Sequence, residues 1–215
     1  MQKTFNTTKK LIIFDMDGTL VNSSITIANA INYVRKNLGF PPMEAEDILR
    51  LVNDHTINPA QTFYHAKAFD KDHEKWFSEY YTKNHDKELA LYVGIKEMLV
   101  SLKEEGFSLA VATNAYRGST LESLTHLDVY DLFDGIACYD DVSQGKPHPD
   151  MLYKLLDELG ESERSAIFIG DGPRDELAAK EAEMDYIMVD WGFTEHTDAV
   201  RTVEELRSIL TNVNA

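Results

Sequence analysis

A single cysteine in 215 residues, Cys138, excludes an internal disulfide, and its apolar neighbours Ile136 and Ala137 mark a reduced, buried thiol. No apolar run approaches the ~20 residues needed to span a bilayer. The stretch from Met1 to Lys10 is polar, with no apolar signal core behind it. Together these absences predict a cytoplasmic protein with no membrane partner. Basic residues are also scarce, with 21 Lys and Arg against 37 Asp and Glu and a formal net charge of -16. Repulsion on that scale argues against a nucleic acid polymer or an anionic membrane surface as partner. A small anionic substrate stays compatible if cations and backbone donors reverse the field locally. Most of the surplus acid, such as Glu161, Glu163, Glu181, Glu183, Glu204 and Glu205, falls in helix-like stretches whose default is a solvated face.

Repeats, low-complexity tracts and Ser/Gly linkers are missing too, so the length fits one substantial core with a smaller appendage. The periodicity changes character along the chain. Leu11 to Phe14 is an apolar run of strand type. Beyond it, Ile27, Ile31, Val34 and Leu38 recur at helical spacing, stopped by Gly39 and Pro41-Pro42. Ala45 to Val52, a stretch opened by Asn58-Pro59, and the stripe Trp76, Phe77, Tyr80 and Tyr81 predict three more helices. That stripe reads as core packing, and His65, His73 and His85 read as solvent-facing, with no metal-site spacing among them.

From Tyr92 onward, strands (Ser108 to Thr113, Ile136 to Tyr139, Ala166 to Ile169, Tyr186 to Val189) alternate with helices, the signature of a parallel sheet covered on both faces. The fold class is therefore α/β. Residues 1–20 and 87–215 build the sheet, and residues 21–86 form an all-helical insertion just past the first strand.

In such a sheet, ligands collect outside the carboxyl ends of the strands. The reactive side chains fall there. Asp15-Met16-Asp17-Gly18-Thr19 follows the first strand, Thr113-Asn114 ends the second, Lys146-Pro147 lies in the loop after the third, and Gly170-Asp171 ends the fourth. Each alone has an ordinary reading: an Asx-type turn at Asp15, a common strand ending at Thr113, a surface lysine at Lys146, a helix cap at Asp175. Two carboxylates where an apolar strand ends nevertheless suggest a cation beside them.

The set suits phosphoryl transfer through a covalent aspartyl intermediate. Asp15, first off the strand, is the candidate nucleophile, and Asp17 the acid that protonates the leaving oxygen and then activates water. Asp15, the backbone carbonyl of Asp17 and Asp171 are candidate Mg2+ ligands. Lys146, the loop amides, the Thr113 hydroxyl and the Asn114 amide are candidate phosphate donors.

These four segments resemble the motifs of the haloacid dehalogenase superfamily of phosphatases, in the phosphoglycolate phosphatase-like branch with a helical cap after the first motif. The resemblance rests on Asp15-Met16-Asp17-Gly18-Thr19-Leu20-Val21, Thr113-Asn114, Lys146-Pro147-His148-Pro149, and Gly170-Asp171 with Asp175. It implies a Rossmann-like core, Mg2+ and phosphomonoester hydrolysis. Asp15 would be the nucleophile, Asp17 the acid/base, Lys146 the phosphate anchor, Asp171 a metal ligand and Asp175 a supporting carboxylate.

Trp191-Gly192-Phe193 resembles a segment of this branch with a structural role. Two positions depart from the family pattern: Gly172-Pro173, and Glu183 where a glycine is usual. Asp17 disfavours halide displacement, since the dehalogenases lack that second aspartate.

The resemblance further implies that the cap closes over the site and sets specificity. Arg50, Asn53, Asp54, His55 and Thr56 are then candidates for reaching the leaving group, with Tyr116 and Arg117 at the rim. The expected substrate is a small phosphorylated metabolite: phosphoglycolate, a sugar phosphate or a nucleoside monophosphate. A phosphomutase of the same superfamily shares the aspartyl phosphate, and a phospho-aspartate signalling module would need no helical insertion. Oligomeric state is not readable from the sequence.

Overall fold

The computed structural model describes residues 8–52, 56–192 and 198–212; the side chains of residues 85 and 86 lie outside this description. The chain divides into two compact units, residues 1–21 with 91–215, and residues 22–90.

The first unit is a three-layer α/β domain. Its strands are β1 (Leu11–Phe14), β4 (Ser108–Thr113), β5 (Gly135–Cys138), β6 (Ala166–Gly170) and β7 (Asp185–Met188). Two short strands, β2 (Val21–Asn22) and β3 (Ala90–Leu91), pair separately as a two-stranded sheet. The large sheet has the order β5-β4-β1-β6-β7 and every pair is parallel. β1, β4 and β6 are apolar almost end to end because both of their faces are covered.

On one face Leu11, Ile13, Ala110, Ala112 and Phe168 pack with Met151, Leu152 and Leu155 of α7 (Asp150–Leu159) and Ala178 and Ala179 of α8 (Pro173–Glu181). Each fully buried Leu or Ile there contributes roughly 1.5–3 kcal/mol relative to exposure. From β1 the chain moves outward to β4 and β5, then returns to the other side for β6 and β7. The connections from the neighbours β1 and β6 therefore lead in opposite directions, and a crevice opens at their carboxyl ends. α5 (Ile95–Glu104), α6 (Arg117–His126) and α9 (Val203–Thr211) complete this unit.

The second unit contains α1 (Ser24–Asn37), α2 (Ala45–Val52), α3 (Pro59–Tyr64) and α4 (Lys71–Glu88). Its core is Ala28, Ile31, Val34, Ile48, Phe63 and Tyr64, with Trp76 and Phe77 packed against it. Proline at the start of α3 and the Asn58 side chain accepting from Gln61 N fix that helix entry. His73 departs from its solvent-facing expectation. It is buried, with its ring 4.8 Å from that of Tyr64 and Nδ1 accepting from Asp70 N at 3.3 Å. His65 is exposed as expected. No described helix is long and apolar enough to cross a membrane.

Element edges differ locally from the sequence reading. β5 ends at Cys138 because Tyr139 begins a 3-10 turn, and α8 starts at Pro173. Proline suits that first helical position, whose amide has no intrahelical partner.

Candidate active site

The crevice between β1 and β6 gathers the site. Asp15 continues the β1 ladder by donating its amide to Ile169 O at 2.8 Å, and its side chain is buried. The following loop is tight: Leu20 and Val21 amides both reach Met16 O, at 2.9 Å each. Gly18 sits at φ +85°, and a Cβ there would lie 2.2 Å from Asp171 Oδ2. Glycine is thus required both by the left-handed backbone and by the carboxylate crossing above it.

Lys146 is 7 % exposed, and its ammonium lies between two carboxylates. Nζ contacts Asp15 Oδ1 and, at 2.7 Å, Asp175 Oδ1. The Phe168 ring lies beside it, its centroid 5.5 Å from Nζ. The lysine backbone is clamped by the Asn114 side chain, whose Nδ2 donates to Lys146 O at 2.9 Å while Oδ1 accepts from Lys146 N at 2.8 Å. Gly145 permits this clamp, because a Cβ there would fall 2.7 Å from Asn114 Oδ1.

Asp175 is held in turn by the start of α8. Its Oδ2 accepts from Gly172 N at 3.1 Å, and Gly170 leaves it room: a Cβ on Gly170 would lie 2.4 Å from the Asp175 Cβ. Pro173 opens α8 two residues before Asp175. The Tyr186 hydroxyl donates to Gly170 O at 2.9 Å, fixing the strand end from below.

Carboxylate oxygens of Asp15, Asp171 and Asp175 lie within 4.8 Å of one another, with Lys146 the cation among them. Burial raises the Asp15 carboxyl, Lys146 opposes it, and the charges of Asp175 and Asp17 add to the rise, which brings it to about 7. Burial, then the fields of Asp15 and Asp175, push Asp171 well above the carboxylate range. Burial pulls the Lys146 ammonium down, but Asp15 and Asp175 outweigh it and hold it protonated. Fully ionised, the three carboxylates would carry more negative charge than one ammonium balances, and the raised carboxyls of Asp15 and Asp171 reflect that imbalance.

A hard divalent cation fits that donor set. Asp15 and Asp171 could hold it, since both Asp175 oxygens are already engaged, with Lys146 and with Gly172.

The remaining candidates divide. Asp17 is half-buried in the same loop, and its charge adds to the rise of both the Asp15 carboxyl and the Tyr92 hydroxyl. Its carboxylate is not in the three-acid cluster. Thr113 is buried, its Oγ1 accepting from Ala115 N at 3.1 Å, which leaves its hydroxyl proton to donate. The Asn114 side chain grips the Lys146 backbone, which leaves the backbone amide of Asn114 as the group that could serve phosphate.

Arg117 begins α6 at the carboxyl edge of the sheet, and its guanidinium forks onto Asp141 at 2.7 and 2.6 Å and reaches Ile136 O at 2.7 Å. Arg50 is exposed on α2 and pairs with Asp47 at 3.0 Å. Asn53, Asp54, His55 and Phe193 lie outside the described residues. Trp191 acts structurally, donating Nε1 to Thr19 O at 2.9 Å. Sequence reasoning missed the roles of Gly145, Gly170, Phe168 and Tyr186. Only the two glycines, each beside a motif residue, carried a readable signal.

Across residues 12–189 the sequence matches the haloacid dehalogenase-like hydrolase family. It is 31% identical over 198 residues to a phosphoglycolate phosphatase of Haemophilus influenzae, covering 87% of this chain and 88% of that one. A pyrophosphatase, PpaX, of Halalkalibacterium halodurans is 29% identical over 174 residues, covering 80% and 79% respectively. Among solved structures, a haloacid dehalogenase-like family protein from Streptococcus pneumoniae aligns with a TM-score of 0.74 at 29% identity, over 88% of this chain and 89% of that one.

Proposed function

This chain belongs to the haloacid dehalogenase-like hydrolase family and is a phosphatase; we propose that it hydrolyses small phosphorylated metabolites through an aspartyl-phosphate on Asp15. The observation that carries this reading is the Lys146 ammonium seated between Asp15 and Asp175, with Asp171 close by at the ends of β1 and β6. A buried carboxylate so placed is rigid, desolvated and faced by a cation that also attracts a phosphoryl group.

In the proposed cycle an Asp15 oxygen attacks phosphorus and the bond from phosphorus to the ester oxygen breaks. Asp17 gives its proton to the departing alkoxide, which leaves as the alcohol. The Asp17 carboxylate then takes a proton from water, whose oxygen attacks phosphorus, and the bond to Asp15 breaks to release inorganic phosphate. Lys146, the Asp15 loop amides, the Thr113 hydroxyl and the Asn114 backbone amide receive the phosphoryl oxygens. Asn114 and Asp175 act through Lys146, fixing its backbone and its ammonium. Mg2+, held by Asp15 and Asp171 with the backbone carbonyl of Asp17, would supply a Lewis acid that offsets the negative charge of both the carboxylates and the phosphate.

Replacement of Asp15 by Asn tests the reading with p-nitrophenyl phosphate in the presence of Mg2+. Turnover is expected to fall by at least about a thousandfold. Normal activity in Asp15→Asn removes Asp15 as nucleophile and the mechanism with it.

A further inference from the structure

Two tyrosines beside the Lys146 loop keep their rings in solvent, which core packing does not require. Tyr116, 62 % exposed, precedes α6, and Tyr139, 46 % exposed, follows β5, so both lie at the carboxyl edge of the sheet that carries Asp15. Their rings meet edge to face, with centroids 5.6 Å apart and planes at 64°. The Tyr139 ring lies against Gly145, where an added Cβ would come within 2.7 Å of it, and Gly145 directly precedes Lys146.

The pair is held rigidly from below. Tyr139 N donates to Ala115 O at 3.0 Å, and Arg117 N to Asp140 Oδ1 at 2.8 Å. The fork of Arg117 onto Asp141 and its bond to Ile136 O join the turn carrying Tyr116 to the turn carrying Tyr139. Arg117 thus serves as a brace. The neighbouring Asp140 is exposed, so the surroundings are acidic and unfavourable to an anionic leaving group. What remains attractive is a stiff aromatic surface that costs little conformational entropy to use.

We propose that Tyr116 and Tyr139 form a stacking platform for the leaving group, selecting phosphomonoesters that carry a planar aromatic ring, with nucleoside monophosphates as the metabolite class. The proposal rests on the phosphatase reading and deepens it. It makes Tyr116 a specificity-determining residue that acts on the leaving group and leaves phosphorus to Asp15.

The test compares kcat/KM for p-nitrophenyl phosphate and a nucleoside monophosphate with that for glycerol phosphate, in wild type, Tyr116→Ala, Tyr116→Leu and Tyr116→Phe. Tyr130→Ala, at an exposed tyrosine elsewhere, serves as control. In Tyr116→Ala the preference for ring-bearing substrates is expected to drop about fivefold to tenfold, through KM, the scale of one aromatic stacking contact. Tyr116→Leu should drop similarly because it keeps apolar bulk but no planar face, while Tyr116→Phe and Tyr130→Ala keep the wild-type ratio. An unchanged ratio in Tyr116→Ala, or full retention in Tyr116→Leu, overturns the platform while the phosphatase stands. Failure of the wild type on both ring-bearing substrates also overturns the platform, whereas failure on every phosphomonoester tried, phosphoglycolate and a sugar phosphate included, overturns the phosphatase reading itself.

Discussion

Glu183 offers the cleanest quantitative test of the backbone argument. It follows α8 at φ +53°, in the left-handed region, as the residue just beyond the helix cap Ala182. Its amide donates to Lys180 O at 3.2 Å and that of Met184 to Ala179 O at 2.9 Å, the paired bonds of a helix terminus that usually carries glycine. The Glu183 side chain is exposed and makes no hydrogen bond or ion pair among the described residues.

A non-glycine residue in this region costs about 1–2 kcal/mol. Glycine gives back about 0.4–1 kcal/mol through the extra freedom of its unfolded chain. Glu183→Gly should therefore stabilise the protein by about 1 kcal/mol, a rise in Tm of about 2–4 °C for a chain of this size. Glu183→Ala is the control, because it removes the same charge from an acidic protein but keeps the backbone cost. Thermal unfolding followed by circular dichroism measures both. Activity should not change, since the other end of α8, where Asp175 sits, is about 12 Å away at 1.5 Å per residue. Melting of Glu183→Gly at or below Glu183→Ala would refute the reasoning.

Gly170→Ala should do the reverse at the end of β6, the strand that leads into the same helix. A Cβ 2.4 Å from that of Asp175 must displace the carboxylate from Lys146, so kcat is expected to fall about a hundredfold, with roughly 1–3 kcal/mol lost in stability; full kcat in this variant would show that Asp175 does not position Lys146. The pH dependence of stability follows from the raised carboxyls of Asp15 and Asp171. An acid whose folded pKa lies above its unfolded value contributes stability that is full below about pH 4 and declines as pH rises towards about 7. Cation-free protein should therefore melt lower at about pH 8 than the other groups alone dictate, and Mg2+ should raise Tm more at about pH 8 than at about pH 5. Equal Mg2+ shifts at the two pH values, read by calorimetry, would contradict binding through these carboxylates.

The catalytic residue types and their order were legible because each stands next to a strong local signal. Asp15 follows an unbroken apolar strand, Thr113 ends another, and Asp171 follows Gly170. Arg117 and Asn114 were legible as polar residues near the site but not by role. A side chain there has several partners within reach, and the winner depends on which loop the sheet brings alongside. Asp141 and the Lys146 backbone come from segments more than 20 residues further along the chain. His73 misled for a related reason, since helical spacing says nothing about the Tyr64 ring arriving from another helix.

The linear order of residues was enough to establish an α/β chain with a helical insertion and reactive groups at strand ends, because periodicity and turn chemistry act over a few residues. Folding in three dimensions chose the partners: Lys146 meets Asp15 across 131 positions, Asn114 turns onto the lysine backbone, and Arg117 braces two exposed tyrosines. Those pairings follow from strand order and register. Strand order and register place the loops, and in a buried, low-dielectric crevice each charge must take whichever counter-charge the loops bring within reach.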